Sequence, residues 1–199
     1  MLYDSTFKPN RLLVYVVASD TGLAPNVTGG SCTLAVCKPQ IRKHAKPESD
    51  WIIGMSTSKH GANRLIYASS VDERIGYANY WHIPRFHSKR PNAENPYGDN
   101  FNMIAPMRGA YCTYKQGIHY GNAEKIQRNH SVPQVLVGHR FWYFGANAPQ
   151  LPDQFLDTRI VQGARRGHKV IDDAPIIDAF YSWITETYQT GIHGNPRDI

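Results

Sequence analysis

The order of hydrophobic and polar positions predicts a chain rich in short buried strands. Continuous apolar runs, which are typical of such strands, occupy residues 12–17, 51–54, 64–71 and 134–144. The second and third runs are separated by a polar loop that contains Gly61 and Asn63. This arrangement predicts a β-hairpin or a part of a barrel wall.

Helical patterns are fewer and flank the strands. Pro39 followed by basic residues predicts a short helix, and residues 76–81 fit a helical turn. Residues 172–188 predict the longest helix, because their apolar positions recur at helical spacing and therefore face a core. The elements together predict an α+β fold. A curved, mostly antiparallel sheet or partly open barrel would carry flanking helices and a C-terminal helix.

The length of 199 residues predicts a single domain over positions 1–199. Residues 86–102 are rich in proline, asparagine and charge, which predicts a long loop of the kind that often carries function. Asp99 and Asn100 lie in this loop. Residues 105–130 show no clear pattern.

The loop over residues 19–26 is the first candidate for chemistry. It follows a buried run, and loops at the ends of buried strands often place reactive groups on a rigid support. Gly22 and Pro25 restrict its backbone, while Asp20 supplies a carboxylate and Asn26 a donor and an acceptor. The alternative is a plain turn, because the same residue types are common in turns.

The formal net charge of +6 and the pI of about 9.2 favour an anionic partner. The basic residues form three clusters: Lys38, Arg42, Lys43 and Lys46; Arg85, Lys89 and Arg90; and Arg165, Arg166, His168 and Lys169. Aromatic residues, including Trp81 and Trp142, lie near these clusters, and this combination suits a surface that tracks a nucleic-acid backbone and stacks on bases. The alternative is an ordinary solvated charged face.

Several classes of protein are disfavoured by what the sequence lacks. The chain has three cysteines, a low and odd number that argues against a disulfide framework. This count favours a reducing cytoplasm as the location. Cys32 and Cys37 lack the spacing of a metal site, and Cys37 is instead expected to line a pocket. The sequence contains no Gly-rich phosphate-binding loop, so no cofactor is predicted. No signal peptide or membrane-spanning run is expected either.

Carboxylates near amides and basic residues remain as the chemistry that the chain offers. A carboxylate can stabilise an oxocarbenium-like sugar and deprotonate an attacking water, in glycosidic and N-glycosidic bonds alike. Asp20, Glu73 and Asp99 are the candidates. Glu73 is also explained as an ordinary acid at a strand end, and Asp99 as part of an Asx-type turn. Lys38 suits a phosphate contact or, if it is buried, a nucleophile.

Specific motifs resemble the second nucleotide modification associated domain family. Residues 20–26 and 32–42 resemble its opening motif, and further similarity lies in residues 50–54, 67–73, 80–81, 98–100 and 141–145. Ser49 departs from the glycine expected before Asp50. The resemblance implies a prokaryotic or phage protein that works around modified DNA bases. It also implies a link to phage-defence DNA glycosylases that remove hypermodified cytosines, such as glucosylated hydroxymethylcytosine.

A DNA glycosylase is therefore the leading hypothesis, with a fold loosely analogous to PUA-like barrels that hold a flipped base. Its partner would be double-stranded DNA carrying modified cytosines, in the bacterial cytoplasm, without metal, cofactor or obligate protein partner. The alternatives are a non-catalytic reader of modified bases and a hydrolase or transferase acting on the nucleobase. No lysine is singled out as forming a Schiff base.

Each candidate residue has a predicted role in this hypothesis. Asp20 is the expected catalytic carboxylate, and Asn26 would position water or the sugar. The predicted substrate-binding residues are Thr21, Cys37, Glu73, Trp81, Asp99, Asn100 and Tyr143. The predicted DNA-binding residues are Lys38, Arg42, Lys43, Lys89, Arg90, Arg165, Arg166 and Lys169.

Overall fold

The protein combines helices with sheets of six, three and two strands, in a computed structural model that describes residues 7–90, 105–107, 110–112, 123–162 and 167–198. The strands are β1 (Arg11–Val16), β2 (Cys32–Leu34), β3 (Asp50–Met55), β4 (Leu65–Ser70), β5 (Glu73–Gly76), β6 (Ala105–Met107), β7 (Ala110–Cys112), β8 (Gln134–Gly138), β9 (Phe141–Tyr143), β10 (His168–Ile171) and β11 (Gly191–Ile192). The α-helices are α1 (Pro39–His44), α2 (Tyr77–His82), α3 (Ala123–His130), α4 (Arg159–Gln162) and α5 (Ala174–Thr187).

The larger sheet has the strand order β10-β1-β3-β4-β9-β11. It is mixed, because β1 pairs parallel with β3 and β9 pairs parallel with β11, while its other pairs are antiparallel. The predicted hairpin is confirmed as β3 and β4. A smaller antiparallel sheet has the order β2-β8-β5, and the two-stranded sheet is formed by β6 and β7. Within the described residues these sheets do not close into a barrel, and the predicted α+β class is confirmed.

One bent two-stranded ribbon connects the six-stranded sheet to the three-stranded sheet. The chain passes from β4 to β5 and from β8 to β9 across two residues each, and the antiparallel register is the same on both sides of the bend. The carboxylate of Asp72 accepts hydrogen bonds from the Ser70 hydroxyl, at 2.7 Å, and from the backbone N–H of His139. Residues 134–144, which the sequence predicts as one strand, are therefore two strands in different sheets.

Helix α5 covers one face of the larger sheet. Asp173 caps its N-terminus by accepting from the N–H of Ile176, and Pro175 lies in the first turn, where a missing N–H costs nothing. Its buried residues are Ile177, Phe180 and Ile184. Each such side chain stabilises the fold by about 1.5–3 kcal/mol through burial. The predicted C-terminal helix is thus confirmed.

The start of the predicted long loop is ordered and partly buried. Phe86 and Lys89 are buried within a 3₁₀ helix, Pro84–Lys89, and the Phe86 ring lies 4.7 Å from that of Tyr80. The prediction of a loop from residue 86 onward is therefore wrong for these first positions, because an apolar ring contact fixes them. Asp99 and Asn100, with most of that segment, lie outside the described residues.

None of the helices that the structure describes is long and apolar enough to cross a membrane. The described residues also contain no group of three or more His, Cys, Asp or Glu side chains positioned to hold a metal ion.

The bend of the ribbon depends on the absence of a side chain at Gly138. A Cβ there would lie 2.1 Å from Ser69 Oγ and 2.2 Å from the Ser70 carbonyl oxygen. Gly138→Ala should therefore lower the free energy of unfolding by about 1–3 kcal/mol, as overpacking does. Urea denaturation monitored by fluorescence measures this change.

Gly76→Ala, at the far end of the same ribbon, is the matched control. A Cβ at Gly76 meets no atom within 4 Å, so this substitution should cost less than about 1 kcal/mol. Equal losses in the two variants would contradict the assignment of the close approach to Gly138.

Candidate functional site

A line of tyrosines crosses the larger sheet on one face. Tyr15 in β1 is in register with Gly54 in β3, Gly54 with Tyr67 in β4, and Tyr67 with Tyr143 in β9. Since residues in register share a face of the sheet, these side chains point the same way. We call Tyr15, Tyr67 and Tyr143 the tyrosine row. On the opposite face, the Trp51 ring contacts the rings of Trp142 and of Tyr181 in α5, at centroid distances of 5.2 and 5.5 Å.

Gly54 lets two members of the row meet. A Cβ at Gly54 would lie 2.3 Å from the Tyr67 ring, so the ring occupies the space above the glycine. Tyr67 thereby reaches Tyr15, and their hydroxyl oxygens are 2.9 Å apart. Both rings are buried, and a buried tyrosine hydroxyl needs such a partner.

Asp20 lies at the other end of the tyrosine row. Its carboxylate accepts a hydrogen bond from Tyr143 Oη at 2.7 Å and one from the backbone N–H of Arg197 at 3.3 Å, and the residue is 1% exposed. The backbone of Asp20 also exchanges hydrogen bonds with Asp198. Both carboxylate partners are distant in sequence, so a plain turn does not describe this loop.

Burial governs the electrostatics of Asp20. It raises the pKa of the Asp20 carboxyl, and the nearby charge of Asp198 acts in the same direction. The hydrogen bonds from Tyr143 and Arg197 favour the ionised form and offset part of this effect. Burial also raises the pKa of Tyr143 far above its ordinary value, so its hydroxyl remains a donor to Asp20.

Lys38 lies at the Tyr15 end of the row. Its Nζ is 4.6 Å from the centroid of the Tyr15 ring and donates a hydrogen bond to the carbonyl of Gly167 at 3.4 Å. Burial lowers the pKa of the Lys38 amine, and the positive charge of Arg128 acts in the same direction. The pKa of His168 is also lowered, by burial and by the charges of Lys38 and His44.

These electrostatic interactions link basic residues from three parts of the chain, namely α1 with its N-cap, α3 and β10. We call Lys38, His44, Arg128 and His168 the basic patch. Lys43 in α1 and Lys169 in β10 follow or precede members of the patch in sequence and are exposed, as the predicted contact with DNA phosphates requires. Arg165 and Arg166 lie outside the described residues.

Two residues predicted to bind DNA are instead in the interior. Arg42 is fully buried, and its guanidinium donates to the carbonyl of Cys37 at 2.9 Å, the carbonyl of Gln134 at 2.8 Å and the Tyr77 hydroxyl at 3.1 Å. Lys89 is also fully buried, and its amine donates to the carbonyl of Ser31 at 2.8 Å. The prediction that these two side chains contact phosphates is therefore wrong in this structure, because each is enclosed by internal acceptors.

Asn26 also has a structural environment. Its amide donates to the carbonyl of Gly22 at 2.8 Å, and its side-chain oxygen accepts from the Thr28 N–H at 3.0 Å and from Lys89 Nζ at 3.1 Å. The residue is 2% exposed. The expected role in positioning water is therefore corrected: this amide holds the loop that follows Asp20.

Glu73 lies in an ion-pair cluster separate from the contacts of Asp20. It forms a two-pronged ion pair with Arg85, at 2.9 and 2.6 Å, and a 2.7 Å contact with His139 Nε2. Burial alone would raise the pKa of Glu73, but hydrogen bonds from Arg85 and His139 outweigh it and the pKa is lowered. Glu73 thus fits the alternative of a strand-end acid in an ion-pair cluster.

The predicted aromatic contacts with substrate have other partners. Tyr143 is buried and holds Asp20 rather than presenting its ring for stacking. Trp81 is half-buried, and the guanidinium of Arg90 lies 4.5 Å above its ring, which covers one face. Thr21 and Cys37 are half-buried beside Asp20 and Lys38 in sequence.

Sequence reasoning missed Tyr15, Tyr67, Arg128, Arg197 and Asp198. A weak signal existed for the two tyrosines, because each stands in an otherwise aliphatic buried run where its hydroxyl must find a partner. Nothing in the sequence indicated that residues 197 and 198 meet the loop after β1.

A cleft of about 550 Å³ opens where β1 and β3 end. Apolar side chains and uncharged polar ones line it, namely Val16, Met55, Ser56, Thr57, Ser58, Ala62, Asn63 and Val161. The volume is within the range of small-molecule sites. Asp20 follows Val16 by four residues, which limits its separation to about 14 Å.

Comparison with known proteins gave one result. A family model described as "Nucleotide modification associated domain 2" matches residues 9–199. The searches of curated proteins and of solved structures found no match.

The environment of Asp20 predicts a pH-dependent effect of Asp20→Asn on stability. The folded protein holds the Asp20 proton more tightly than the unfolded chain, so wild-type stability falls as pH rises from about 3.8 through the raised pKa. The variant has no carboxyl group to titrate at this position. The free energy of unfolding of the variant relative to wild type should therefore increase across this pH range and then level off. Urea unfolding between about pH 4 and pH 7 measures it, and a constant difference would contradict the buried state of the carboxyl.

Proposed function

This chain belongs to the nucleotide modification associated domain 2 family, and from that membership we propose that it is a DNA glycosylase acting on hypermodified bases. The family connects the chain to nucleotide modification or its recognition. In the proposed reaction a base such as glucosylated hydroxymethylcytosine is flipped out of the duplex, because its glycosidic bond is inaccessible within the stack. Hydrolysis of that bond leaves an abasic site in phage DNA and so defends the bacterial cell.

The hydrogen bond from Tyr143 to the buried Asp20 carboxylate is the observation that carries this proposal. A fixed carboxylate in a site of low dielectric interacts with developing positive charge far more strongly than one in water. The ionised group suits two tasks: stabilising an oxocarbenium-like deoxyribose and accepting a proton from the attacking water. Tyr143 fixes its orientation and supports its ionised form.

Access to Asp20 requires a change in its contacts. The carboxylate is 1% exposed, and the backbone of Arg197 and Asp198 covers it. We propose that these two residues move away from Asp20 when the nucleotide enters. The cleft at the ends of β1 and β3, whose polar lining among the described residues is uncharged, suits a neutral hydroxyl-bearing base.

The basic patch supports binding to the DNA backbone. Its members carry positive or titratable groups from three parts of the chain, and no carboxylate among the described residues forms an ion pair with Lys38. Such a surface neutralises phosphates and releases counterions, so the affinity for DNA should fall as salt increases.

The burial of Asp20 also favours a second candidate, a non-catalytic reader of modified bases. A carboxylate whose hydrogen bonds are all made within the protein could serve only to fix the loop after β1. The reader would need the same basic patch but would release no base. The reaction assay below separates the two functions.

Asp20→Asn should lower the rate of base release by about 10²–10⁴-fold, the range contributed by a positioned acid or base. Purified protein is incubated with DNA containing glucosylated hydroxymethylcytosine and with unmodified DNA. Free base is measured by mass spectrometry and abasic sites by alkaline cleavage. DNA affinity should be nearly unchanged, because Asp20 is buried and the variant keeps every exposed lysine.

Asp157→Asn, which alters an exposed acid, is the matched control and should retain full activity. Full activity of Asp20→Asn would show that this carboxylate is not catalytic. Tight binding without base release by the wild-type protein would favour the reader.

Tyr143→Phe should shift the pH dependence of base release. Its hydroxyl stabilises the ionised carboxylate, so removing it raises the pKa of Asp20 further. As the pH is lowered, activity that depends on ionised Asp20 should then be lost at a higher pH in the variant than in the wild-type protein. Rate profiles against pH test this, with Tyr188→Phe as a control; a profile equal to that of wild type would exclude Tyr143 from tuning Asp20.

A further inference from the structure

Lys38 combines features that a phosphate-binding lysine does not need. Its amine is half-buried over the Tyr15 ring instead of extending into solvent, and it donates a hydrogen bond to the backbone carbonyl of Gly167. Among the described residues it has no acidic partner within ion-pair distance. Burial and the charge of Arg128 lower its pKa, which increases the fraction of neutral, nucleophilic amine.

The backbone that carries Lys38 is strained and firmly held. Cys37 and Lys38 both have left-handed conformations, with φ of 61° and 40°, which cost a non-glycine residue about 1–3 kcal/mol each. The buried Arg42 secures this turn, since its guanidinium bonds to the carbonyl of Cys37 and its backbone N–H to that of Lys38. A strained turn fixed by a buried cation keeps the amine against the tyrosine row.

Lys38 and Asp20 lie at the two ends of the tyrosine row, Lys38 over the ring of Tyr15 and Asp20 bonded to the hydroxyl of Tyr143. The charge of Asp20 contributes to raising the pKa of Tyr15, and Lys38 Nζ lies over that same ring. A neutral amine can attack an electrophilic carbon, as lysines do in forming Schiff bases with carbonyl groups.

We infer that Lys38 forms a Schiff base with C1′ of the deoxyribose, so that the protein also acts as a lyase on abasic DNA. This inference rests on the proposed function for its substrate, since base excision leaves the abasic aldehyde. The Lys38 nitrogen attacks C1′, a C–N bond forms, and the carbonyl oxygen leaves as water. Loss of a C2′ proton to water then expels the 3′ phosphate and cuts the strand, and water hydrolyses the imine to free the lysine.

Borohydride trapping tests this inference separately from glycosylase activity. The full-length protein is incubated with a duplex containing one preformed abasic site, made by excising uracil, and sodium borohydride is added. Hydride reduces the imine to a stable amine, so a covalent protein–DNA adduct is expected. Digestion and mass spectrometry should locate the adduct on the peptide containing Lys38, and strand cleavage should appear without borohydride.

Lys38→Arg is the informative variant, because it retains the positive charge for phosphate binding but cannot form the imine. It should bind the abasic duplex as wild type does and lose both the adduct and strand cleavage. Lys8→Arg, which alters an exposed lysine paired with Asp178, is the matched control and should retain both.

The two proposals fail in distinguishable ways. An adduct on another lysine or on the terminal amine, or no adduct with wild-type protein, would overturn the role of Lys38 even if base release were observed. Trapping at Lys38 without release of any modified base would retain the lyase and overturn the glycosylase. A Lys38→Arg variant that only weakens DNA binding and keeps the adduct would assign Lys38 to phosphate contact alone.

Discussion

The register of four strands is the constraint on which the candidate site depends. Tyr15, Gly54, Tyr67 and Tyr143 lie in one line because Tyr15 pairs with Gly54, and Tyr67 pairs with both Gly54 and Tyr143; the register of β3 with β4 shifts only beyond this line, between Gly54 and Met55. A slip of one residue would turn the tyrosines to the face that α5 covers. The same line brings the hydroxyl of Tyr143 to Asp20. This hydrogen bond connects the loop after β1 to β9, on the far side of β3 and β4.

Two buried cations hold the loops around this line. Arg42 fixes the turn before α1, and Lys89 fixes the loop at Asn26, each by donating hydrogen bonds to carbonyl oxygens. A buried charge is tolerated only when such acceptors replace its lost hydration. The bonds use many acceptors at once, so these residues specify loop geometry rather than supply the exposed charge that DNA would meet.

The site therefore has an inner and an outer part with different chemistry. Asp20 and the tyrosine row form a desolvated interior, in which the carboxyl pKa is raised and the tyrosines stay protonated. Lys38 belongs to the basic patch and also lies over the ring of Tyr15, where it is half-buried and has a lowered pKa. This gradient from exposed cations to a buried carboxylate suits a ligand with an anionic backbone and a neutral group that enters the protein.

The sequence by itself determined the α+β class, the β3–β4 hairpin, the C-terminal helix and the family, because these depend on local periodicity and on contiguous motifs. It also singled out Asp20 as a candidate, and the functional role of Asp20 stays a prediction. Only the tertiary structure decided which charges are buried, since Arg42 and exposed Lys43 are neighbours in sequence with the same charge. It alone brought Tyr143 and Arg197 to Asp20, because contacts between residues more than a hundred positions apart depend on strand order and register, which no local pattern encodes.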